Sequence, residues 1–411
     1  MKPLQTEASP VEPVVPKKRP GALRMAVVLG LLEVFGPISM DLYLPALPQL
    51  AGDLRTGQSL AQATMSVCML GLAFGQLVVG PLSDRFGRRR PLLAGIGLFT
   101  VLSVVCAFAP SIEVLLAARF LQGLCGSAGI VLSLAVARDL AEGVELVRLL
   151  ALLTTVGALA PIVAPVIGGQ LAAVIGWRGI FGVLAGIGAA LLIVAATALP
   201  ESLPPEARHP RNGRGEFRIL LKDPLFLGFL LVSTCGGAAF FTYLASISFV
   251  LQGGFSLSPQ LFSACFAANA VMSVLGAQVN RAAVRRAGPV RMYVLGTTFT
   301  AAAALTMLGA VLFGAGLAAL LIPLALLMLA GGTTQANGNA LALANHGQRA
   351  GTAAALLGTA SFAIGPIVAP LVSLGGTTPL SMSLTMTVAY GIATVLLWLA
   401  VLPRLRRSGT A

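Results

Sequence analysis

Apolar runs of about twenty residues, separated by short polar connections, recur along the whole chain. A helix needs about 20 residues to cross a hydrocarbon core of about 30 Å with its backbone hydrogen bonds satisfied. The pattern therefore predicts an all-α integral membrane protein with twelve transmembrane helices. We place them near residues 25–49, 60–82, 91–110, 114–137, 149–175, 179–199, 224–251, 261–280, 290–312, 315–344, 351–373 and 379–402.

The longest polar connection, from Glu201 to Asp223, divides the runs into two groups of six. We predict a flexible tail at 1–24, a six-helix bundle at 25–200, a linker at 201–223, a second bundle at 224–403 and a tail at 404–411. A pattern after the second run returns 196 positions later, with Gly80, Asp84, Arg85, Arg89 and Arg90 matched by Gly276, Asn280, Arg281, Arg285 and Arg286. Because the matched helices have equal order, we expect two parallel repeats.

The composition supports a membrane protein, and the distribution of charge predicts its orientation in the membrane. The chain is 57% hydrophobic and 10% charged, which leaves too little polar surface for a soluble protein of 411 residues. Of the 27 Lys and Arg residues, 24 lie on one side of the predicted topology, the exceptions being Arg55, Arg119 and Arg178. The positive-inside rule then predicts both termini in the cytoplasm, and a charge distribution explained by topology gives no indication of nucleic acid as a partner.

The sequence offers little for metal or enzyme chemistry. The five cysteines fall in apolar runs without metal-ligand spacing, and His209 and His346 fall in polar connections. No G-x-x-x-x-G-K-[ST], H-E-x-x-H or G-x-S-x-G motif is present. We therefore expect no enzyme activity, no metal, no cofactor and no ATP-driven pumping, with protons as the coupling ion.

Three charged residues lie well inside predicted helices, namely Glu33, Asp41 and Arg119, whereas Arg291 lies at the edge of its predicted helix. A charge at the bilayer centre costs about 2.5–3.5 kcal/mol on insertion scales, so these residues should face the interior and carry proton coupling. Glu33 and Asp41 lie about 12 Å apart along an ideal helix, too far to share one proton directly. Glu33 near a helix end or in a wet cavity remains an alternative. We expect Arg119 to pair with Asp41 or Glu33, or else to bind helix-end carbonyls as a scaffold element.

Aromatic and amide side chains within apolar runs are candidates for a drug-binding wall, because such sites combine an apolar lining with a few polar groups. Helix packing or an interhelical hydrogen bond is the alternative at each position. The candidates are Tyr43, Phe240, Tyr243, Phe266, Asn269, Gln335, Asn337 and Phe362.

Four segments carry a resemblance to a known family, namely Met40–Pro48, Gly80–Arg90, Arg119–Gly123 and Pro161–Gly169. The chain resembles the major facilitator superfamily and, within it, the Bcr/CflA group of drug/proton antiporters. The resemblance covers essentially the whole chain after the N-terminal tail. It favours Asp41 as the proton site, since the acid of the first segment is typical of the group.

The resemblance also implies two gating elements. In the first, Gly80 and Gly87 shape a tight turn, Arg85 belongs to the same motif, Arg88 pairs with Asp139, and Asp84 contacts a facing helix end. The second is an antiporter motif containing Pro161, Pro165 and Gly169, in which Ala160 stands where the usual pattern has Gly.

The function that the resemblance implies is proton-coupled export of small amphiphilic drugs, chloramphenicol- or bicyclomycin-like or broader, by a monomer in the bilayer. The alternative is a proton-coupled transporter of a nutrient or of a self-made metabolite.

Overall fold

The computed structural model describes residues 22–141, 143–204, 214–344, 346, 350–373 and 376–407. This part of the chain is helical and contains no strand. The α-helices are α1 Ala22–Asp41, α2 Leu47–Asp53, α3 Gln58–Phe86, α4 Arg89–Ala107, α5 Ile112–Leu140, α6 Gly143–Ala198, α7 Arg214–Lys222, α8 Pro224–Ser248, α9 Pro259–Ala287, α10 Pro289–Leu312, α11 Gly316–Leu343, α12 Ala350–Ser373, α13 Pro379–Leu396 and α14 Leu402–Arg407. Short π-helical segments, Phe249–Gly254 and Leu397–Val401, extend α8 and α13.

The helices account for twelve membrane crossings. Among the described residues, nine helices are long and apolar enough to span a membrane. The first crossing is a bent pair, Met25–Gly36 and Ile38–Asp53, which meet at 45°. α6 provides two crossings because Gly176, with φ of 64°, interrupts it, and α12 supplies the remaining one. The prediction of an all-α, twelve-helix membrane protein is confirmed.

Close helix contacts occur at equivalent places in the two halves. In the first half, a Cβ atom at Gly71 or Gly123 would collide with the backbone of the partner helix in the pair α3 and α5. In the second half, Gly276 and Gly332 stand in the same relation in the pair α9 and α11. These are the second and fourth crossings of each half, as expected for parallel repeats. Small residues set this spacing because they let helix backbones approach each other in lipid.

The two halves meet along two helix pairs, α3 with α12 and α6 with α9. We call the end of the bundle that carries Arg88, Asp139 and Arg285 the basic end, and the other, near Pro45, Gln62 and Thr377, the opposite end.

Helix starts are capped locally, as at α8, where Asp223 Oδ1 accepts a hydrogen bond from Leu225 N at 2.8 Å.

Several helices extend further at the basic end than their apolar runs indicate. α3 continues to Phe86 and α9 to Ala287, past the predicted ends at 82 and 280. Asp84 and Arg85 are therefore helical, and the prediction that they lie in a connection is wrong. Polar residues can continue a helix beyond the hydrocarbon, where water satisfies their side chains, so hydropathy underestimates helix length.

Candidate functional site

Asp41 is the last residue of α1 and is 6% exposed. The segment directly after it contacts the second half, since the Pro45 carbonyl oxygen accepts a hydrogen bond from Gln252 Nε2 at 2.9 Å. In α8 of the second half, the Tyr243 hydroxyl accepts a hydrogen bond from Asn269 Nδ2 at 3.3 Å, and its ring stacks on Phe266 with centroids 5.7 Å apart. Three of the residues predicted for the substrate wall thus form a buried cluster.

Arg119 is completely buried in α5, and its partner is not a carboxylate. Its Nη1 donates to Gln122 Oε1 at 2.6 Å, and its guanidinium lies 4.6 Å from the ring centroid of Tyr43 and 5.5 Å from that of Phe181. Nε and Nη2 have no hydrogen-bond partner within the part of the chain that the structure describes. The expected pairing with Asp41 or Glu33 is wrong, because an amide and two aromatic faces surround the cation instead.

The Tyr43 ring packs against the Arg119 guanidinium within the first half. Its side chain is fully buried, and its hydroxyl shares a 3.0 Å hydrogen bond with Thr64. The ring lies between Arg119 on one side and Phe181 on another, with Tyr43 and Phe181 centroids 5.4 Å apart. In this conformation the ring is covered by side chains of the first half, which is the packing alternative at this position, and drug contact by Tyr43 stays a prediction.

Glu33 lies eight residues before Asp41 in α1, half-buried beside α6. Its Oε1 approaches Gly157, and its Oε2 is buried without a hydrogen-bond partner among the described residues. A buried carboxylate oxygen that accepts no hydrogen bond is unfavourable when charged. The structure shows no bond from Glu33 to Asp41 or Arg119 among the described residues, so the two acids occupy separate environments, as their spacing along the helix predicts.

At the basic end, Arg88 joins the second and fourth crossings. Its Nη1 donates to Asp84 Oδ1 at 2.6 Å and to Ser83 Oγ at 2.7 Å, and its Nε donates to Asp139 Oδ2 at 3.1 Å. The expected contact between Arg88 and Asp139 is present. The expected contact of Asp84 with a facing helix end is not seen among the residues that the structure describes, where Asp84 binds Arg88 instead.

Two residues of the connection after α6 complete this cluster and were not identified from the sequence. Glu201 Oε1 accepts from the Arg88 backbone N at 2.7 Å, and Ser202 Oγ donates to Asp139 Oδ2 at 2.8 Å. Arg85 lies apart, with its guanidinium 5.2 Å from the Phe86 ring centroid. The gating role of the whole cluster stays a prediction.

The turn after α3 depends on one glycine. Gly87 has φ of 86°, a backbone conformation that L side chains rarely adopt. Gly80 lies within α3, and a Cβ atom added there would meet nothing within 4 Å. The prediction that Gly80 makes the turn possible is therefore wrong.

The fifth crossing belongs to the first half and packs closely against α9 of the second half as well as against its own half. A Cβ atom on Gly168 would collide with the carbonyl oxygen of Leu42, and one on Gly169 with Ser263 of α9. Pro165 is buried in the same segment, whereas the Pro161 side chain lies outside the described part. The close approach expected for this motif is present, and it joins the first half to the second.

Hydrogen bonds also join the halves at the opposite end. Gln62 Nε2 donates to Thr377 Oγ1 at 2.7 Å, and the Thr377 backbone N donates to Gln58 Oε1 at 3.3 Å. Gln252 Nε2 donates to the Pro45 carbonyl oxygen at 2.9 Å. The opposite end is therefore closed in this conformation.

A cavity of about 240 Å³ lies within the second half. Of the predicted wall residues, Phe240 and Gln335 line it. Asn337 does not, because its Nδ2 donates to Asn280 Oδ1 at 2.6 Å and to the Thr333 carbonyl at 2.7 Å, which is the packing alternative. The Phe362 side chain lies outside the described part.

Most lining residues of this cavity were not identified from the sequence. They include Ser233, Ser273, Tyr293, Thr297, Thr300, Thr334, Ser361 and Tyr390. The spacing of Tyr293, Thr297 and Thr300 places their hydroxyls on one face of α10. This spacing is the pattern from which the sequence could have identified them. Within the described residues, no group of three or more His, Cys, Asp or Glu side chains is placed to hold a metal ion.

The sequence profile of the Major Facilitator Superfamily matches residues 29–370. The chain belongs to this superfamily. It is 38% identical over 378 residues to the "Uncharacterized MFS-type transporter YdgK" of Bacillus subtilis, which covers 89% of this chain and 92% of that protein. It is 30% identical to the "Bicyclomycin resistance protein homolog" of Haemophilus influenzae, over 84% of this chain and 88% of that protein.

Among solved structures, the xylose transporter XylE from E. coli, described as partially occluded and inward open, matches with a TM-score of 0.71. The match covers 92% of this chain and 97% of that one at 14% sequence identity, so it shows a common fold. Together these matches confirm the resemblance to the superfamily and its Bcr/CflA drug/proton antiporter group. The chain is a multi-pass membrane transporter.

Proposed function

We propose that this transporter is a proton-coupled antiporter that exports small amphiphilic drugs from a bacterium by alternating access. The name of the Haemophilus influenzae relative supports drug export, since that protein is called a bicyclomycin resistance protein homolog. We assign the chain transport and no catalysis, with protons as the coupling ion and no metal or cofactor. It works as a monomer in the inner membrane.

The proposal places the basic end in the cytoplasm. Positively charged connections stay on the cytoplasmic side of bacterial membranes, and Arg85, Arg88 and Arg285 lie at that end. The opposite end then faces the periplasm. Since Gln62 and Thr377 join the halves at that end, the proposal interprets this conformation as an inward-facing state, in which a compound enters from the cytoplasm.

The observation that carries the proposal is the burial of Asp41, which is 6% exposed and lies four residues before Pro45, where the first half contacts the second. Enclosing an ionised carboxylate in a low-dielectric site is unfavourable by several kcal/mol, whereas a protonated one is much easier to enclose. A proton on Asp41 therefore favours packing of the halves around it, and loss of that proton favours a state that admits water or a polar compound. This links proton binding to the change of access.

In this proposal Arg119 is not the direct partner of Asp41. Because Gln122 and the Tyr43 ring hold its guanidinium, it is a fixed positive charge in the first half. The driving force comes from the membrane: one charge that crosses 100 mV supplies about 2.3 kcal/mol, and a pH gradient adds to it.

The test is proton-driven export by the purified full chain in liposomes. Chloramphenicol efflux under an imposed pH gradient should be abolished by Asp41→Asn and should persist in Glu113→Gln, a carboxylate removal at an exposed position of α5. An uncoupler should remove the wild-type efflux. Full coupled efflux by a well-inserted Asp41→Asn protein would refute the proton-site assignment. Proton-stimulated uptake of a nutrient in place of export would favour the alternative transporter.

A further inference from the structure

The cavity in the second half is lined, as far as the described residues go, by uncharged side chains alone. No Asp or Glu follows Asp223 in the sequence, so the whole second bundle contains no carboxylate. A permanently cationic ligand in this cavity would have no counter-charge, and burying an unpaired charge is strongly unfavourable. The cavity therefore selects against cations.

Three of its hydroxyls have no hydrogen-bond partner among the described residues. Thr297 Oγ1 is one of them, and its residue is 6% exposed. Tyr293 and Tyr390 line the same space, and no hydrogen bond engages their hydroxyls within the described residues. Other lining hydroxyls are satisfied, since those of Ser233 and Ser361 bond each other at 2.9 Å. A buried hydroxyl that lacks a partner costs about 1–3 kcal/mol, which a ligand with matching polar atoms would recover.

Aromatic rings complete the wall. Phe229 lies beside Tyr293 with ring centroids 5.7 Å apart, and Phe240 contacts Phe241 at 5.4 Å. Gly236 and Gly331 contribute no side chain, and a Cβ atom at either position would meet nothing within 4 Å. The combination of aromatic surface, open glycine faces and a few free hydroxyls suits a small compound with a ring and hydrogen-bonding groups.

We propose that this cavity is the binding site for an uncharged amphiphile, with Thr297, Tyr293 and Tyr390 as its hydrogen-bonding groups. The site lies wholly in the second half, while the proposed proton site lies in the first. α8 extends from the cavity to the buried aromatic cluster, because Phe240 lines the cavity and its ring lies 6.3 Å from that of Tyr243. The assignment of the ligand as an export substrate rests on the proposed function; the binding itself does not.

The test is equilibrium dialysis of the full chain in detergent with two probes, radiolabelled chloramphenicol, which is neutral, and tetraphenylphosphonium, a permanent cation. Gly331→Leu should fill the cavity and weaken chloramphenicol binding at least tenfold. Gly309→Leu is the matched control, a helical glycine that also has open space around its Cα but does not line the cavity. It should change binding less than twofold. Thr297→Val should weaken binding about two- to tenfold, as expected for one hydrogen bond.

Tetraphenylphosphonium should not compete for the site. Three results would overturn the inference: equal chloramphenicol binding in Gly331→Leu and Gly309→Leu, unchanged binding in Thr297→Val, or displacement of chloramphenicol by the cation in a manner that Gly331→Leu abolishes. Asp41→Asn should retain chloramphenicol binding while it loses proton-driven efflux. The proposed function and the binding site can therefore fail separately.

Discussion

The hydrogen bond between Gln62 and Thr377 allows the closure of the opposite end to be tested with one isosteric change. Thr377→Val keeps the shape of the side chain and removes the Oγ1 atom that accepts from Gln62 Nε2 at 2.7 Å. Gln62 is completely buried in the closed state, so its amide would lose a partner that no water can replace there. In an open state water hydrates the same amide. The substitution should therefore shift the equilibrium towards the open state.

The magnitude follows from the burial of Gln62. Leaving a buried donor without a partner costs about 1–3 kcal/mol, and 1.4 kcal/mol corresponds to about tenfold in an equilibrium constant. The ratio of open to closed molecules should thus rise at least about fivefold. The hydrogen bond from Gln252 to the Pro45 carbonyl remains, so closure should be weakened and not abolished.

The assay is the distance distribution between spin labels on the two halves. Gly52→Cys in α2 and Leu380→Cys in α13, both exposed, provide the label sites in a background without the native cysteines. Thr56→Val at the same end is the control, because the Thr56 side chain makes no hydrogen bond within the described residues. Equal distance distributions in Thr377→Val and Thr56→Val would refute the reasoning that this bond holds the end closed.

Two further predictions concern α3. Asp84→Ala should lower transport without lowering membrane insertion, because it removes one of the two carboxylates bound by Arg88; normal drug efflux by a normally inserted variant would count against a gating role. Gly71→Ala should destabilise the protein by about 1–3 kcal/mol in thermal or denaturant unfolding, because its Cβ atom would collide with the Phe120 carbonyl oxygen. Gly80→Ala, at a helical position with open space, should instead stabilise the protein by up to about 1 kcal/mol. Equal effects of the two substitutions would contradict the close packing of α3 on α5.

Much of the fold could be predicted because membrane insertion is governed by local composition. A segment must satisfy its backbone within itself to cross lipid, so the number and order of the crossings follow from the apolar runs. The break at Gly176 falls between two predicted helices, and the repeat of the Gly80–Arg90 pattern indicates the paired halves. The burial of Asp41 follows in the same way, since a carboxylate in an apolar run is driven to the interior.

The partner of each buried polar group could not be predicted from those runs. Arg119 contacts Gln122 and Tyr43 and not Asp41 because the rotation of α5 against α1 and α3 is set by backbone contacts at glycines such as Gly71 and Gly123. Hydropathy carries no information about that rotation.

The sequence by itself determined the twelve crossings, their division into two repeats and the presence of a buried acid in the first. Only the tertiary structure decided that Arg119 contacts Gln122 and Tyr43 and that an uncharged cavity with free hydroxyls lies in the second half. The physical reason is that solvation in lipid acts on each segment alone, whereas a cavity and a polar contact depend on how several helices are tilted and rotated against one another.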